Sequence, residues 1–258
     1  IRDSPITRDD SARTFAAPRQ RRMTAEQLVD SLHEVVGRPM DSDELTFDPE
    51  ARMKPSAHNN LGLPTRAWHF ASLSNERDRP ALSLPRAASI TECLEAFGWI
   101  GARQEPINHR QHEANVIQPG MLAGGLLSIQ LTRLTDHDEL TSLAIETPSL
   151  EELVEELFAR FLTRRPNDEE RVRFTNLLQD GFTDRVLTDM TLPETPIREP
   201  SVSWANHLHP DATDVRLRQS ARLRLGPEPS RRIAPDWRER FEDAVWALIN
   251  TPEFIFVP

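Results

Sequence analysis

The chain has 258 residues, of which 38% are hydrophobic and 28% charged, the balance of a folded globular protein with material for one substantial core or two small ones. Its net charge of -10 argues against a general affinity for nucleic-acid phosphates or anionic lipid, which need a concentrated positive surface. Cys93 is the only cysteine, which excludes an internal disulfide, a cysteine zinc cluster and a C-x-x-C-H haem attachment, and no run reaches the roughly 20 apolar residues of a membrane helix.

Residues 1–22 read as an extended polar arm, and 23–258 as a single helical domain. The arm has no signal-peptide core and begins at Ile1 without an initiator methionine, so Ile1 is expected to be an internal position of a longer polypeptide. The first helix is expected near Thr24 to Val36. Thr24 and Gln27 have capping-box spacing, Leu28, Leu32 and Val35 form an apolar stripe, and Gly37 suits a left-handed stop. Ser89 and Glu92 repeat the device ahead of Ile90, Cys93, Leu94 and Phe97, predicting a short helix that ends at Gly98. Met121 to Leu131 is apolar but broken by Gly124 and Gly125, and the small residues of GMLAG, Gly120 to Gly124, imply tight helix packing.

The clearest periodicity lies in Ser149 to Arg164, capped by Ser149 and stopped by Pro166. Asn167 and Glu170 cap the next segment, which carries Val172, Phe174, Leu177 and Leu178 towards Gly181 and makes a helical hairpin with its predecessor. A final helix is expected from Pro235 to Asn250, followed by Phe254, Ile255, Phe256 and Val257, apolar enough to dock on the core. Long proline-punctuated connections separate these elements, especially Pro39 to Pro85 and Leu187 to Pro200. Neither a repeat nor a strand–helix alternation is visible, so the expected fold class is all-α, mainly helical with long irregular connections.

Candidate sites are few. The run from Ser72 to Arg110 mixes arginines, acids, prolines and large apolar residues. Arg77, Arg79 and Arg103 in it are candidates for binding a carboxylate or a sulfated glycan, although their acidic neighbours favour an internal ion-pair network. His109 and His112, three residues apart with Glu113 beside them, are a candidate metal face. His207 and His209 have the alternation that puts two imidazoles on one face of an extended strand. Two acidic series, Asp41 to Glu50 and Thr135 to Leu140, lack the glycine turn and closing glutamate of a calcium loop and are expected to be solvated or to cap helices. The basic clusters Arg19, Arg21, Arg22 and Arg216, Arg218, Arg222, Arg224 lack interleaved aromatic residues and read as solvated or salt-bridged faces. Lys54 is the only lysine, so nearly all positive charge is arginine. Cys93 falls in a helical apolar pattern and is expected to be a small buried thiol.

Five motifs in order, RRMTAEQLVDSL (Arg21 to Leu32), SLSNERDRPALSLPRA (Ser72 to Ala87), EAFGWIGARQEP (Glu95 to Pro106), LTRRPNDEER (Leu162 to Arg171) and WALINTPEFIF (Trp246 to Phe256), carry a resemblance. Together they resemble the planctomycete-specific domain of unknown function found C-terminal to cytochrome c-associated domains. That resemblance implies an exported, periplasmic or cell-envelope protein, cut from a larger multi-domain polypeptide. It implies no cofactor in this chain, with haem on an upstream domain or a partner, and no catalytic residue to transfer. The expected function is a non-catalytic interaction or scaffold module whose partners are upstream segments of the same polypeptide or other subunits, without nucleic acid. One alternative is an enzyme domain acting on an exported polysaccharide or other polymer, with Glu76 and Glu105 as acid and base. Another is an electron-transfer partner that docks a haem protein.

Overall fold

The computed structural model describes residues 21–40, 65–72, 85–99, 115–188, 202 and 207–257. Within them the chain is mainly helical, as its periodicity implies, with one two-stranded antiparallel ribbon. Strand β1 (Arg21–Arg22) pairs with β2 (Phe256–Val257), Arg21 opposite Val257 and Arg22 opposite Phe256. The ribbon is extended by a bond from the Met23 amide to the Ile255 carbonyl, 2.9 Å, so the segment read as the end of an arm is tied to the far end of the chain.

Helix α1 (Ala25–Val36) begins at a complete Thr24/Gln27 capping box and stops at Gly37, whose φ of 67° is left-handed. A side chain there would also fall on that of Glu139, so the close approach of the two segments needs glycine twice over. Leu28, Val29, Leu32 and Val36 are buried along one face. Asp30 accepts a bond from the Ala67 amide, 2.6 Å, which fixes the start of α2 (Ala67–Ser72) against α1. Helix α3 (Pro85–Ala96) packs on α1 and starts at Pro85 rather than at Ile90, the first position after the Ser89 cap signal. Proline supplies a preset first turn there, and Ser89 lies buried inside the helix.

Helices α4 (Ile117–Gly124) and α5 (Leu126–Thr132) meet at Gly125. The expected tight packing at GMLAG is not found. A side chain at Gly120 or Gly124 would meet nothing within 4 Å, because both face outward. Helix α6 (Glu139–Glu146) follows a turn at 134–138, and α7 (Leu150–Leu162) and α8 (Asp168–Leu178) form the predicted hairpin. Asn167 and Glu170 complete a capping box, and Ser149 accepts from the Glu152 amide. Val172 faces solvent, so Phe174, Leu177 and Leu178 alone carry α8 onto the core.

Helix α9 (Ala212–Leu225) lies against α3 and α5, with only Ala212 and Gln219 buried. Helix α10 (Pro235–Ile249) runs through the middle of the packing. Trp237, Phe241, Ala244, Val245, Leu248 and Ile249 recur at helical spacing and are buried against α5, α7 and α8. At roughly 1.5–3 kcal/mol for each large side chain removed from water, this stripe is a major stabilising element. The short α11 (Pro252–Ile255) seats Phe254 beside Phe161, whereas Phe256, expected on the core, is half exposed because its place in β2 turns it outward. Cys93 is buried, and burial pushes its thiol up to about 12.

Candidate functional site

The turn between α5 and α6 places two buried carboxylates two positions apart in sequence but on different partners. Asp138 accepts from the Thr135 amide at 2.8 Å and from Arg38 Nε at 2.7 Å, and it is almost fully buried. Arg38, just past the end of α1, also donates to the carbonyls of Gln130 and Arg133, so one guanidinium joins α1, the end of α5 and the start of α6. Asp136 accepts from the Ser230 hydroxyl and from the Arg231 amide, 3.2 Å. Of the two roles expected for Thr135 to Leu140, solvation therefore fails for both aspartates, while Asp138 does stand at the N-cap position of α6, without a side-chain bond into the helix. Each is drawn inside because donors from distant segments replace water.

The same turn reaches α10. The Leu134 amide donates to Glu242 Oε1 at 2.9 Å, and Arg238 Nε lies 3.4 Å from that oxygen. Burial raises the Glu242 carboxyl above its ordinary range, with the Leu134 amide and Arg238 opposing the shift. Arg238 also donates to the Ser230 carbonyl, 2.9 Å, and Ser230 is fully buried. Ser230 and Asp136 are thus paired in a closed interior and directed at each other, an arrangement that holds the 226–234 connection against the 134–138 turn.

Arg185 supplies a second internal clamp. Its guanidinium donates to the carbonyls of Ala144 (2.6 Å), Thr147 (2.6 Å), Ile145 (3.3 Å) and Phe182 (2.7 Å), and lies over the Phe182 ring at 3.8 Å. A cation set at the C-terminal end of α6 meets the negative end of the helix and its unpaired carbonyls. Burial lowers its pKa from the ordinary arginine value. A third arginine, Arg164, bridges Glu170 (2.7 Å) and Glu253 (2.8 Å), tying the α7–α8 turn to α11. Glu170 is held below the usual carboxylate range chiefly by that bond.

Helix α9 uses its arginines differently. Arg216, Arg218, Arg222 and Arg224 are all exposed, with Asp214 the one acid inside the helix. Arg216, Arg218 and Arg224 make no ion pair among the described residues. Leu217 is 63% exposed and Leu225 69%, four positions either side of the exposed Ala221, so they line the face turned away from Ala212 and Gln219. The carbonyl end is held by Gln130, which donates to Leu223 at 2.9 Å, and by Arg133, which donates to Leu225.

Of the residues singled out in the sequence, Arg77, Arg79, Arg103, His109 and His112 lie outside the described residues, as do Glu76, Glu105 and the series Asp41 to Glu50. His207 and His209 fall in an exposed turn leading into α9 rather than on a strand, with His209 Nδ1 accepting from the Asp211 amide at 3.4 Å. Among the described residues no group of three or more histidine, cysteine, aspartate or glutamate side chains is placed to hold a metal ion, and no helix is long and apolar enough to cross a membrane. The clamps at Arg38, Asp138, Arg185 and Ser230 carry no spacing signal. Apart from bonds to Thr135, Phe182, Arg232 and Arg238, the partners of these side chains lie 38 to 100 residues away, so only the fold reveals them.

A family described as Protein of unknown function (DUF1553) matches residues 1–178. The chain belongs to this family. The DUF1553 match ends at the last residue of α8, so Arg38, Asp136 and Asp138 lie inside it and Ser230, Arg238 and Glu242 beyond it. The motif Trp246 to Phe256 is also beyond it. In this DUF1553 member the later helices α9 and α10 pack against α3, α5, α7 and α8, so the body crosses the limit of the match. Neither a curated protein nor a solved structure matches the chain.

Proposed function

We propose that this chain is a non-catalytic interaction or scaffold module of an exported, cytochrome-associated multi-domain protein, with haem carried by an upstream domain or a partner subunit. One observation carries the reading. Arg216, Arg218 and Arg224 of α9 stand outward with no ion pair among the described residues, beside exposed leucines, whereas Arg38, Arg164 and Arg185 are spent on carbonyls and carboxylates. Arginine beside exposed apolar side chains is the composition of a protein-binding surface.

The carboxylates of the 134–138 turn support the same reading from the other side. Asp136, Asp138 and Glu242 each accept a backbone amide, and a hydroxyl or guanidinium lies beside each, so their lone pairs serve the fold. The cytochrome association and export come from the resemblance of the sequence motifs, not from the geometry.

Cross-linking the endogenous protein in intact cells, followed by absorbance at the haem band of the purified product, tests the proposal. The expected result is a covalent product containing a haem-bearing polypeptide. Recovery of the chain linked to no other polypeptide overturns it.

A further inference from the structure

The four arginines of α9 are concentrated on one helix of a chain whose net charge is -10, and two exposed leucines stand among them. Leu217, Ala221 and Leu225 recur at every fourth position, so they form a short apolar ridge about 12 Å long at 1.5 Å per residue. Arg218 lies on one side of that ridge and Arg224 on the other, since they follow Leu217 by one and seven positions at about 100° per residue. An apolar seam with a cation on each flank is the half-pattern of a helix pair, in which flanking charges choose the partner.

We propose that the outward face of α9 is the docking site for an acidic amphipathic helix of a partner polypeptide. The partner presents leucine-like side chains to Leu217, Ala221 and Leu225 and carboxylates to Arg218 and Arg224. Charge complementarity selects this occupant. A second copy of the chain offers exposed Glu239 and Asp243 on α10, but the large apolar side chain beside them is the single Trp246 rather than a row matching the Leu217–Leu225 ridge, and a phosphate polymer leaves Leu217 and Leu225 uncovered. The inference rests on the scaffold reading and narrows it to one face and one partner chemistry. Burying the ridge gives affinity, and the two arginines mainly set orientation and on-rate, so the interaction weakens as salt screens them.

The test uses the full chain and a fluorescein-labelled 21-residue helical peptide with leucines along one stripe and glutamates on both flanks, read by fluorescence anisotropy. Saturable binding is expected. It should weaken at least about tenfold in R218E/R224E and in L217S/L225S, with thermal midpoints within about 2 °C of the parent. A lysine-flanked version of the peptide should bind R218E/R224E better than it binds the parent. Equal affinity for glutamate- and lysine-flanked peptides overturns the inference, as does unchanged binding by R218E/R224E. Sedimentation of the chain with phosphatidylserine vesicles as tightly as it holds the peptide also overturns it, and assigns the face to a lipid surface. If cross-links to a haem polypeptide form but map away from α9, this inference fails and the scaffold reading stands. Should the peptide bind while no assembly forms in cells, the scaffold reading fails instead.

Discussion

Arg185 satisfies four carbonyls at once, and no lysine ammonium on a flexible stem spans the same fork. Arg185→Met is therefore expected to lose about 3 kcal/mol, since it strands the Ala144, Thr147 and Phe182 carbonyls in the interior, and Arg185→Lys should recover less than half of that in chemical denaturation. Glu242 makes an opposite case. Its folded pKa is raised, so its contribution to stability is full below the unfolded value and is lost as pH rises through the folded one. Glu242→Gln keeps an acceptor for the Leu134 amide without the buried charge. The melting-temperature difference, variant minus parent, should rise between pH 4 and pH 7, and a flat difference contradicts the assignment. Glu170 runs the other way. Arg164 holds its pKa low, so the stabilisation is present at neutral pH and is lost as pH falls through that lowered value.

Capping chemistry decided how far each helix was readable. Thr24 with Gln27, Ser149, and Asn167 with Glu170 announce α1, α7 and α8 because each start uses a local side-chain bond that sequence spacing exposes. Helices α5 and α6 have no side-chain cap bond, and α9 has neither such a bond nor an apolar stripe facing the core, so nothing local marks them, whereas α4 starts where Asn115 Oδ1 accepts from the Ile117 and Gln118 amides. Their positions are set by long-range partners such as Arg38 and Gln130. The basic cluster at Arg216 to Arg224 was legible as a solvated face, but not as a helix with two leucines on its outer side. At the α1 terminus, Gly37→Ala is expected to cost more than about 1–2 kcal/mol. The left-handed backbone accounts for that much, and the new methyl overlaps Glu139 as well. Thermal unfolding checks it, and a cost below about 0.5 kcal/mol, the range of an ordinary surface substitution, contradicts the close approach.

For the whole molecule, the family match and the physical body have different limits. Residues 1–178 match the family, yet Trp237, Phe241, Val245 and Leu248 from α10 fill the space between α5, α7 and α8. Trp237 even donates its indole N–H to the Leu178 carbonyl, 2.8 Å. A chain ending at Leu178 is expected to show no cooperative thermal transition, because the surfaces that receive α10 are left open to water. The mainly helical class followed from periodicity and caps alone. The polar interior did not, since Asp136 with Ser230 and Arg38 with Asp138 join residues about a hundred positions apart, where neither member constrains the other in sequence.

The central claim is that this chain divides its arginines into clamps that hold the fold and a set on α9 held out for a partner. Comparing the thermal unfolding of R38M with that of R218E/R224E tests the division directly. Removing Arg38 leaves Asp138 buried without its cation, a loss of about 3–5 kcal/mol that should lower the midpoint by roughly 10 °C. R218E/R224E should melt within about 2 °C of the parent. A comparable fall in both variants would show that the α9 arginines are structural and contradict the account.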